Sequence, residues 1–512
     1  MKRKGGALIR KRTGASACAF LLAASTVVGT AAFSASVAQA AAEQRREKAR
    51  LFVLSDIGNE PDDQMSLVRL LVYSNEIDIE GFGATTSVWQ KDKVRPDIAR
   101  EVIAAYGAVR PNLQRHAAGW PTAEALSARV SEGLTGYGLG AFERASPAAP
   151  SAAARALVAA ADRSDPRPLW IALWGGANTL AEALRLAETT KSAGQFAAFV
   201  GKLRVYSISD QDDAGPWIRR RYPALFMIVT PSTPDGSDYA RATWTGISGD
   251  RFYRNGAGAD FSTVSNEWLD ANIRSKGPLG AHYPRYMFIM EGDTPSFLGL
   301  IPNGLQPGEH PEWGGWGGRY LLRQPYGEAR PVWTQGGDSF PRVTSADTVG
   351  GTTSDQATIW RWREAFQNDF AARMDWTIKP AAEANHAPVV VVDGTGGTAP
   401  LRIAARVGEP VQIDASRSRD PDGNALSFRW IAYPEAGFTG GYFAPPSLTV
   451  EGDGTPRVRV SAAATCTPNW LAMGDCPASA EAHLVLAVTD NGKPALTRYR
   501  RIIVTVSGPA KR

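Results

Sequence analysis

Cysteine is scarce, 3 in 512 residues, and Cys18 falls in an N-terminal leader. Cys466 and Cys476 remain, in a loop-like stretch with no further cysteine and no close histidine. That pattern argues against a metal pair and for one disulfide in an oxidising compartment, with buried free thiols as the alternative. Histidine is nearly as rare, 5 in all, and only His116, His282 and His310 precede residue 379. His310, in a glycine-rich loop, is the best candidate proton donor, against a plain surface role. An excess of either charge is also missing. Of 56 Lys+Arg, six fall in residues 1–40 with none of the 51 Asp+Glu, so the chain beyond residue 40 carries a net charge of −1. This excludes a nucleic-acid footprint. No stretch beyond residue 40 is long and apolar enough to span a membrane.

What is present first is a leader. A basic start (Lys2, Arg3, Lys4, Arg10, Lys11, Arg12), an apolar Ala17–Phe33 and the small-x-small site Ala38-Gln39-Ala40 read as a secretory signal over 1–40. The expected location is secreted or periplasmic. Residues 41–48 read as a mobile lead.

From 49 to 378, short apolar runs alternate with helical patterns. Strands are expected at Leu51–Ser55, Ile77–Thr85, Leu169–Leu173, Leu203–Ser207 and Leu225–Val229. Helices are expected at Asp62–Tyr73, Pro96–Tyr106, Asn178–Glu188 and Ala357–Met374. Such alternation implies an α/β domain with a mostly parallel sheet. From 385 to 508 the composition changes to short alternating strands and turn signals, among them Asp420-Pro421-Asp422-Gly423-Asn424 and Asp490-Asn491-Gly492. These predict an all-β, Ig-like or cadherin-like sandwich, with strands expected at Val389–Val392, Val411–Ala415, Leu426–Trp430, Ala482–Val488 and Tyr499–Val506.

The chemistry concentrates in Ser55-Asp56-Ile57-Gly58-Asn59-Glu60-Pro61-Asp62-Asp63. An apolar strand ends in an acid, and two adjacent acids open a helix, at the strand end where α/β sheets place their sites. Clustered carboxylates suit a hard cation such as Ca²⁺ or Mg²⁺. Helix capping would explain Asp62 and Asp63 but not Asp56. Ser209-Asp210-Gln211-Asp212-Asp213 through Trp217 follows a strand and could read sugar hydroxyls, against a solvated acidic turn. Trp313, Trp316 and Tyr320 could stack on sugars, against packing of their loop, and Trp89 and Trp120 are weaker candidates. Asp420, Asp422 and Asp490 could hold Ca²⁺, although turn chemistry explains them equally well.

Two further segments complete a pattern: Trp174-Gly175-Gly176 after a strand, and Met290-Glu291-Gly292-Asp293 after an apolar run. With the opening motif they resemble the nucleoside hydrolase superfamily over about residues 49–375. The spelling of that motif and the segment Asn303-Gly304-Leu305 through Trp313-Gly314-Gly315-Trp316-Gly317-Gly318-Arg319-Tyr320 resemble, more closely, a secreted subfamily. Its members are described as cellulose-binding proteins with a nucleoside-hydrolase-like domain and a C-terminal β-sandwich. The resemblance implies a Ca²⁺ site made by Asp56, Asp63, the Trp174 carbonyl and Asp293, with Asp56 also the general base. It implies that Asp62 and Gln90 bind the sugar; Asp210, Asp212, Trp217, His310 and Trp313 join them as candidates from the residues. Two departures stand out. Gly58 occupies the position of the family's second aspartate, and Gly292 that of a histidine which helps the base leave. The expected activity is hydrolysis of an N- or O-glycosidic bond in a ribosyl compound or other small glycoside, with non-catalytic binding of cellulose or another cell-wall polysaccharide as the alternative.

Overall fold

A computed structural model describes residues 48–232, 239–248, 255–256, 258–286, 288–305, 307–336, 344–438, 443–468 and 474–508. The expected signal over 1–40 and most of the lead lie outside these. Eight strands build the first sheet: β1 (Ala49–Ser55), β2 (Ile77–Ala84), β3 (Val130–Glu132), β4 (Leu169–Leu173), β5 (Leu203–Ser209), β6 (Phe226–Thr230), β7 (Leu321–Arg323) and β8 (Val332–Thr334). Their order is β3-β2-β1-β4-β5-β6-β8-β7, and only β7 runs antiparallel to its neighbour.

Residues of β1 alternate between two cores. Leu51 and Val53 pack with α1 (Asp62–Leu71), α2 (Pro96–His116) and, further round, Phe366 and Phe370. Phe52 and Leu54 pack with the helix Ala152–Asp162 and with α3 (Asn178–Thr190), beyond which lies α4 (Ala214–Arg221). Burial of both faces is why the strands read as continuous apolar runs. Helix α2 extends ten residues past the expected Tyr106, through Pro111, because Val109 and Leu113 still face the core. The helix expected over Ala357–Met374 is two: Ala357–Trp360 and α5 (Arg363–Trp376). It breaks where Arg361 pairs with Asp347 at 2.6 Å and Trp362 packs edge-on to Tyr433 and Tyr499.

The rest is all-β. One sheet has the order β9 (Leu401–Arg406), β15 (Thr497–Ser507), β14 (Ser479–Asp490), β11 (Leu426–Ala432), and the other β10 (Val411–Asp414), β13 (Arg457–Ala462), β12 (Leu448–Glu451). Val389–Val392 is not a strand but two isolated bridges, Val389 with Arg419 and Val392 with Thr395, because the chain turns at Asp393, whose φ is 49°. Cys466 and Cys476 are joined by a disulfide. Leu484, Leu486 and Val488 of β14 face the all-β core, whereas Val485 and Ala487, with Tyr433 and Tyr499, belong to the core of the α/β part. Polar contacts run along the same seam: the Asn303 carbonyl accepts from Tyr499 N at 2.8 Å, and buried Arg501 donates to the carbonyls of Leu305 (2.8 Å) and Gly314 (2.7 Å). No helix among the described residues is long and apolar enough to cross a membrane.

Candidate functional site

The sheet order reverses between β1 and β4, whose adjacent carboxyl ends open a crevice. Asp56 follows β1 and Trp174 follows β4. The Ser55 hydroxyl donates to Asp63 and accepts from Ile57 N at 3.1 Å, so the end of the strand sets the start of the helix. Gly58 has φ +108°, and a Cβ there would come 2.9 Å from Ile98 Cδ1. The position where the family carries an aspartate is thus closed to one by backbone and packing. The N-cap of α1 is Pro61, which makes no side-chain cap bond; Asp62 and Asp63 lie in the first turn, where they also complement the helix dipole.

Oxygen atoms of Asp62, Asp63 and Asp293 lie within 4.8 Å of one another. Asp56 and Glu60 join them in lining a cavity of about 440 Å³, and among the described residues no lysine, arginine or histidine lines it. The four aspartates are nearly inaccessible, from 1 to 8 % exposed. Burial raises the Asp56 carboxyl to about 6; burial reinforced by repulsion from the neighbouring carboxylates raises Asp62 to about 7 and Glu60 to about 8 and carries Asp63 and Asp293 well above the carboxylate range. Asp62 Oδ1 and Asp293 Oδ2 are buried without a hydrogen-bond partner. Hard oxygen donors, orphaned lone pairs and unrelieved repulsion together fit a hard divalent cation.

Asp293 is brought to the cluster by a strained loop. Glu291 has φ 55° and is fully buried. Its carboxylate accepts from Arg69 of α1 (Nε 2.5 Å, Nη2 3.0 Å), Tyr283 Oη (2.6 Å) and Thr294 Oγ1 (2.9 Å). One ion pair therefore ties the helix that carries Asp62 and Asp63 to the loop that carries Asp293. A Cβ on Gly292 would come 2.7 Å from Asp62 Oδ2 and 3.0 Å from Trp244 Cζ3. Asp62 and Trp244 therefore crowd the first atom that any side chain would add at this position.

The Trp174 carbonyl, expected to face a cation, accepts from Gln211 Nε2 at 2.6 Å, which occupies one of its two lone pairs. Gln90 sits behind the motif and donates to the Asp56 carbonyl at 2.9 Å, positioning it without lining the cavity. Seven candidates belong elsewhere. Asp210 makes a two-pronged ion pair with Arg219 (2.7 and 2.8 Å). Asp212 accepts from Asn178 N and Ala214 N, both at 3.0 Å, and so pins the starts of α3 and α4. Trp217 packs on Phe142 and Tyr222. His310 stacks on Trp313 at 4.1 Å, and Trp313 in turn meets His483 of β14. Trp316 and Tyr320 are buried packing residues.

Sequence reasoning missed most of the cavity wall. Glu60 stands inside the motif, but only Asp56, Asp62 and Asp63 draw a role there from the sequence, and Gln211 stands between two acids that carry the stronger signal. Trp89, weighed only as a weak candidate, lines the cavity with Tyr239, Trp244 and Phe288. Trp89 and Phe288 are 39 % and 47 % exposed, at the mouth.

Residues 50–320 match the family model described as "Cellulose-binding Sde182, nucleoside hydrolase-like domain". Residues 410–506 match "Cellulose-binding protein Sde0182, C-terminal domain". A solved structure of a nucleoside hydrolase-related hypothetical protein from Saccharophagus degradans, associated with carbohydrate metabolism, is 33 % identical, with a TM-score of 0.72 over 90 % of this chain and 100 % of that one. The type III effector XopQ, solved with adenosine diphosphate ribose, is 14 % identical at a TM-score of 0.30, over 67 % of this chain and 99 % of that one, too remote to bear on function. No curated protein matches.

Proposed function

The chain belongs to the family of cellulose-binding proteins with a nucleoside-hydrolase-like domain, and from that premise we propose that it is a secreted glycosidic-bond hydrolase acting on a small glycoside or on the end of a cell-wall glycan. The observation that carries this reading is the convergence of Asp56, Glu60, Asp62, Asp63 and Asp293 on one cavity. Ordinary sugar recognition does not require so much unneutralised charge.

Asp62, Asp63 and Asp293 are the residues that would hold a Ca²⁺ ion, with the Trp174 carbonyl beside them. When bound, such an ion supplies positive charge to sugar hydroxyls and acidifies a water. Asp56, at the end of β1, is the candidate base that takes the proton as water attacks the anomeric carbon. The neighbouring carboxylates favour the positive charge that develops on the sugar. Trp244, Tyr239 and Ile289 wall the site from solvent, and Trp89 and Phe288 at its mouth offer flat apolar faces to the group beyond the scissile bond. A specific observation favours a second reading, non-catalytic binding of cellulose or a related polysaccharide. Gly292 supplies no side chain that could protonate the leaving group, and a Cβ there would crowd Asp62 and Trp244.

The test is reducing-sugar or base release from cello-oligosaccharides, aryl glycosides and nucleosides, with Ca²⁺, by the wild type and Asp56→Asn. Turnover that falls roughly 100-fold or more in the variant, with ligand binding retained, is expected. Absence of turnover on every substrate, with oligosaccharide binding equal in both proteins, would leave the binding reading alone.

A further inference from the structure

At the junction between α5 and the all-β part, away from the cavity, two carboxylates lack a partner for their charge. Asp490 ends β14 and is 3 % exposed. Its Oδ1 accepts from Asn385 Nδ2 (2.8 Å), Gly492 N (2.9 Å) and Leu496 N (3.1 Å), while Oδ2 is buried with no hydrogen-bond partner. Asp420, in the turn before β11, repeats the arrangement. Its Oδ1 accepts from Asp422 N (2.9 Å) and Asn424 N (3.0 Å), and its Oδ2 is likewise buried and unpartnered. The two are neighbours: after burial, the Asp420 charge is among the causes that raise the Asp490 carboxyl. Asn385 joins their turns, because it donates to Asp490 and its own Oδ1 accepts from Asn424 Nδ2 at 2.9 Å. The Asn385 carbonyl in turn accepts from Trp376 Nε1, at the end of α5, at 3.0 Å. Among the described residues no Lys or Arg forms an ion pair with either carboxylate, and the imidazole of His386 faces Asp422 at 3.1 Å.

Turn chemistry accounts for both Oδ1 atoms and leaves both Oδ2 atoms unexplained. Burying an unpartnered carboxylate oxygen in each of two linked turns is costly unless a cation or a proton satisfies it. We propose that Asp420 and Asp490 hold a calcium ion at this junction, with backbone carbonyls of the two turns and water completing its shell. The ion fastens the Asn385 linker, and through it the end of α5, to the all-β part. This goes beyond the proposed function and does not depend on it.

The test is calorimetric titration of the chelator-stripped full chain with CaCl₂, together with thermal unfolding with and without the ion. Wild type, Asp63→Asn and Asp420→Asn are compared. Asparagine keeps the Oδ1 acceptor, and hence the turn, while removing the charge. Asp63→Asn is expected to bind one ion still and to be stabilised by it. Asp420→Asn is expected to bind that ion at least tenfold more weakly and to lose its share of the rise in Tm. Should Asp420→Asn fail to fold, Asp490→Asn takes its place. A wild type whose single ion disappears in Asp420→Asn would support the junction site and count against the cavity. Asp63→Asn that binds no ion, or Asp420→Asn with unchanged stoichiometry and affinity, would overturn the proposal.

Discussion

Replacing Arg69 by methionine would separate the two arms of the acidic site. Arg69 is inaccessible, and its guanidinium lies 4.0 Å over the Phe370 ring. It donates to both oxygens of Glu291, to the Phe366 carbonyl at 3.1 Å and to Gln367 Oε1. Methionine preserves the packing on Phe370 but leaves Glu291 charged and buried, supported only by Tyr283 and Thr294. Breaking one side of a buried pair costs about 3–5 kcal/mol, and the orphaned Phe366 and Gln367 acceptors add about 1 kcal/mol each. The expected loss is therefore about 5–7 kcal/mol, read as a lower urea midpoint by tryptophan fluorescence and as a lower Tm. Adding Glu291→Gln removes the stranded charge and should recover about 2 kcal/mol. The site should respond as well. With the Glu291–Asp293 loop untied from α1, Ca²⁺ and oligosaccharide affinity should fall at least tenfold by calorimetry. A loss below about 1 kcal/mol, or a double variant as unstable as the sum of the two singles, would refute the argument that this pair holds the arms together.

Two further outcomes follow from named contacts. Gly292→Ala puts a methyl group 2.7 Å from Asp62 Oδ2, so it should weaken ligand binding about tenfold at a stability cost of about 1–3 kcal/mol; unchanged affinity would show that the crowding is harmless. Burial alone would raise the Asp369 carboxyl, but Arg498 and Arg373 beside it bring it down to about 2. A depressed folded value means that stability is fully present above the ordinary carboxylate range and is lost as pH falls from about 4 to 2, here about 2 kcal/mol. Urea midpoints over that range should show this loss in the wild type and not in Asp369→Asn; parallel slopes would remove Asp369 from the account.

The α/β half was readable because its strands are buried on both faces and its helices are amphipathic. Leu169–Leu173 was placed residue for residue. The acids Asp56, Asp62 and Asp63 were visible because a strand end and a helix start bracket them, whereas Asp293 follows an apolar run with no strand among its described residues and was marked by the family resemblance. The aromatic wall was not. Tyr239, Trp244 and Phe288 stand in the long connection after β6, where no periodicity marks which rings turn inward. Trp313 misled for a physical reason: a tryptophan-rich loop can bind sugar or pack on protein, and here His310 and His483 cover its rings. Asp210 and Asp212 misled because an acidic turn can serve Arg219 and two helix starts as readily as a ligand.

Strand β14 turns alternate residues into two different cores. Neither half is therefore a cassette. An α/β portion cut before residue 385 would expose the surface now covered by Val485, Ala487 and Tyr499, together with open carbonyls at Asn303 and Leu305, and such a surface invites aggregation. Grafting the C-terminal portion onto another enzyme would carry the same scar. Substitutions at this seam would have to change in matched sets, so the two parts share one folded state.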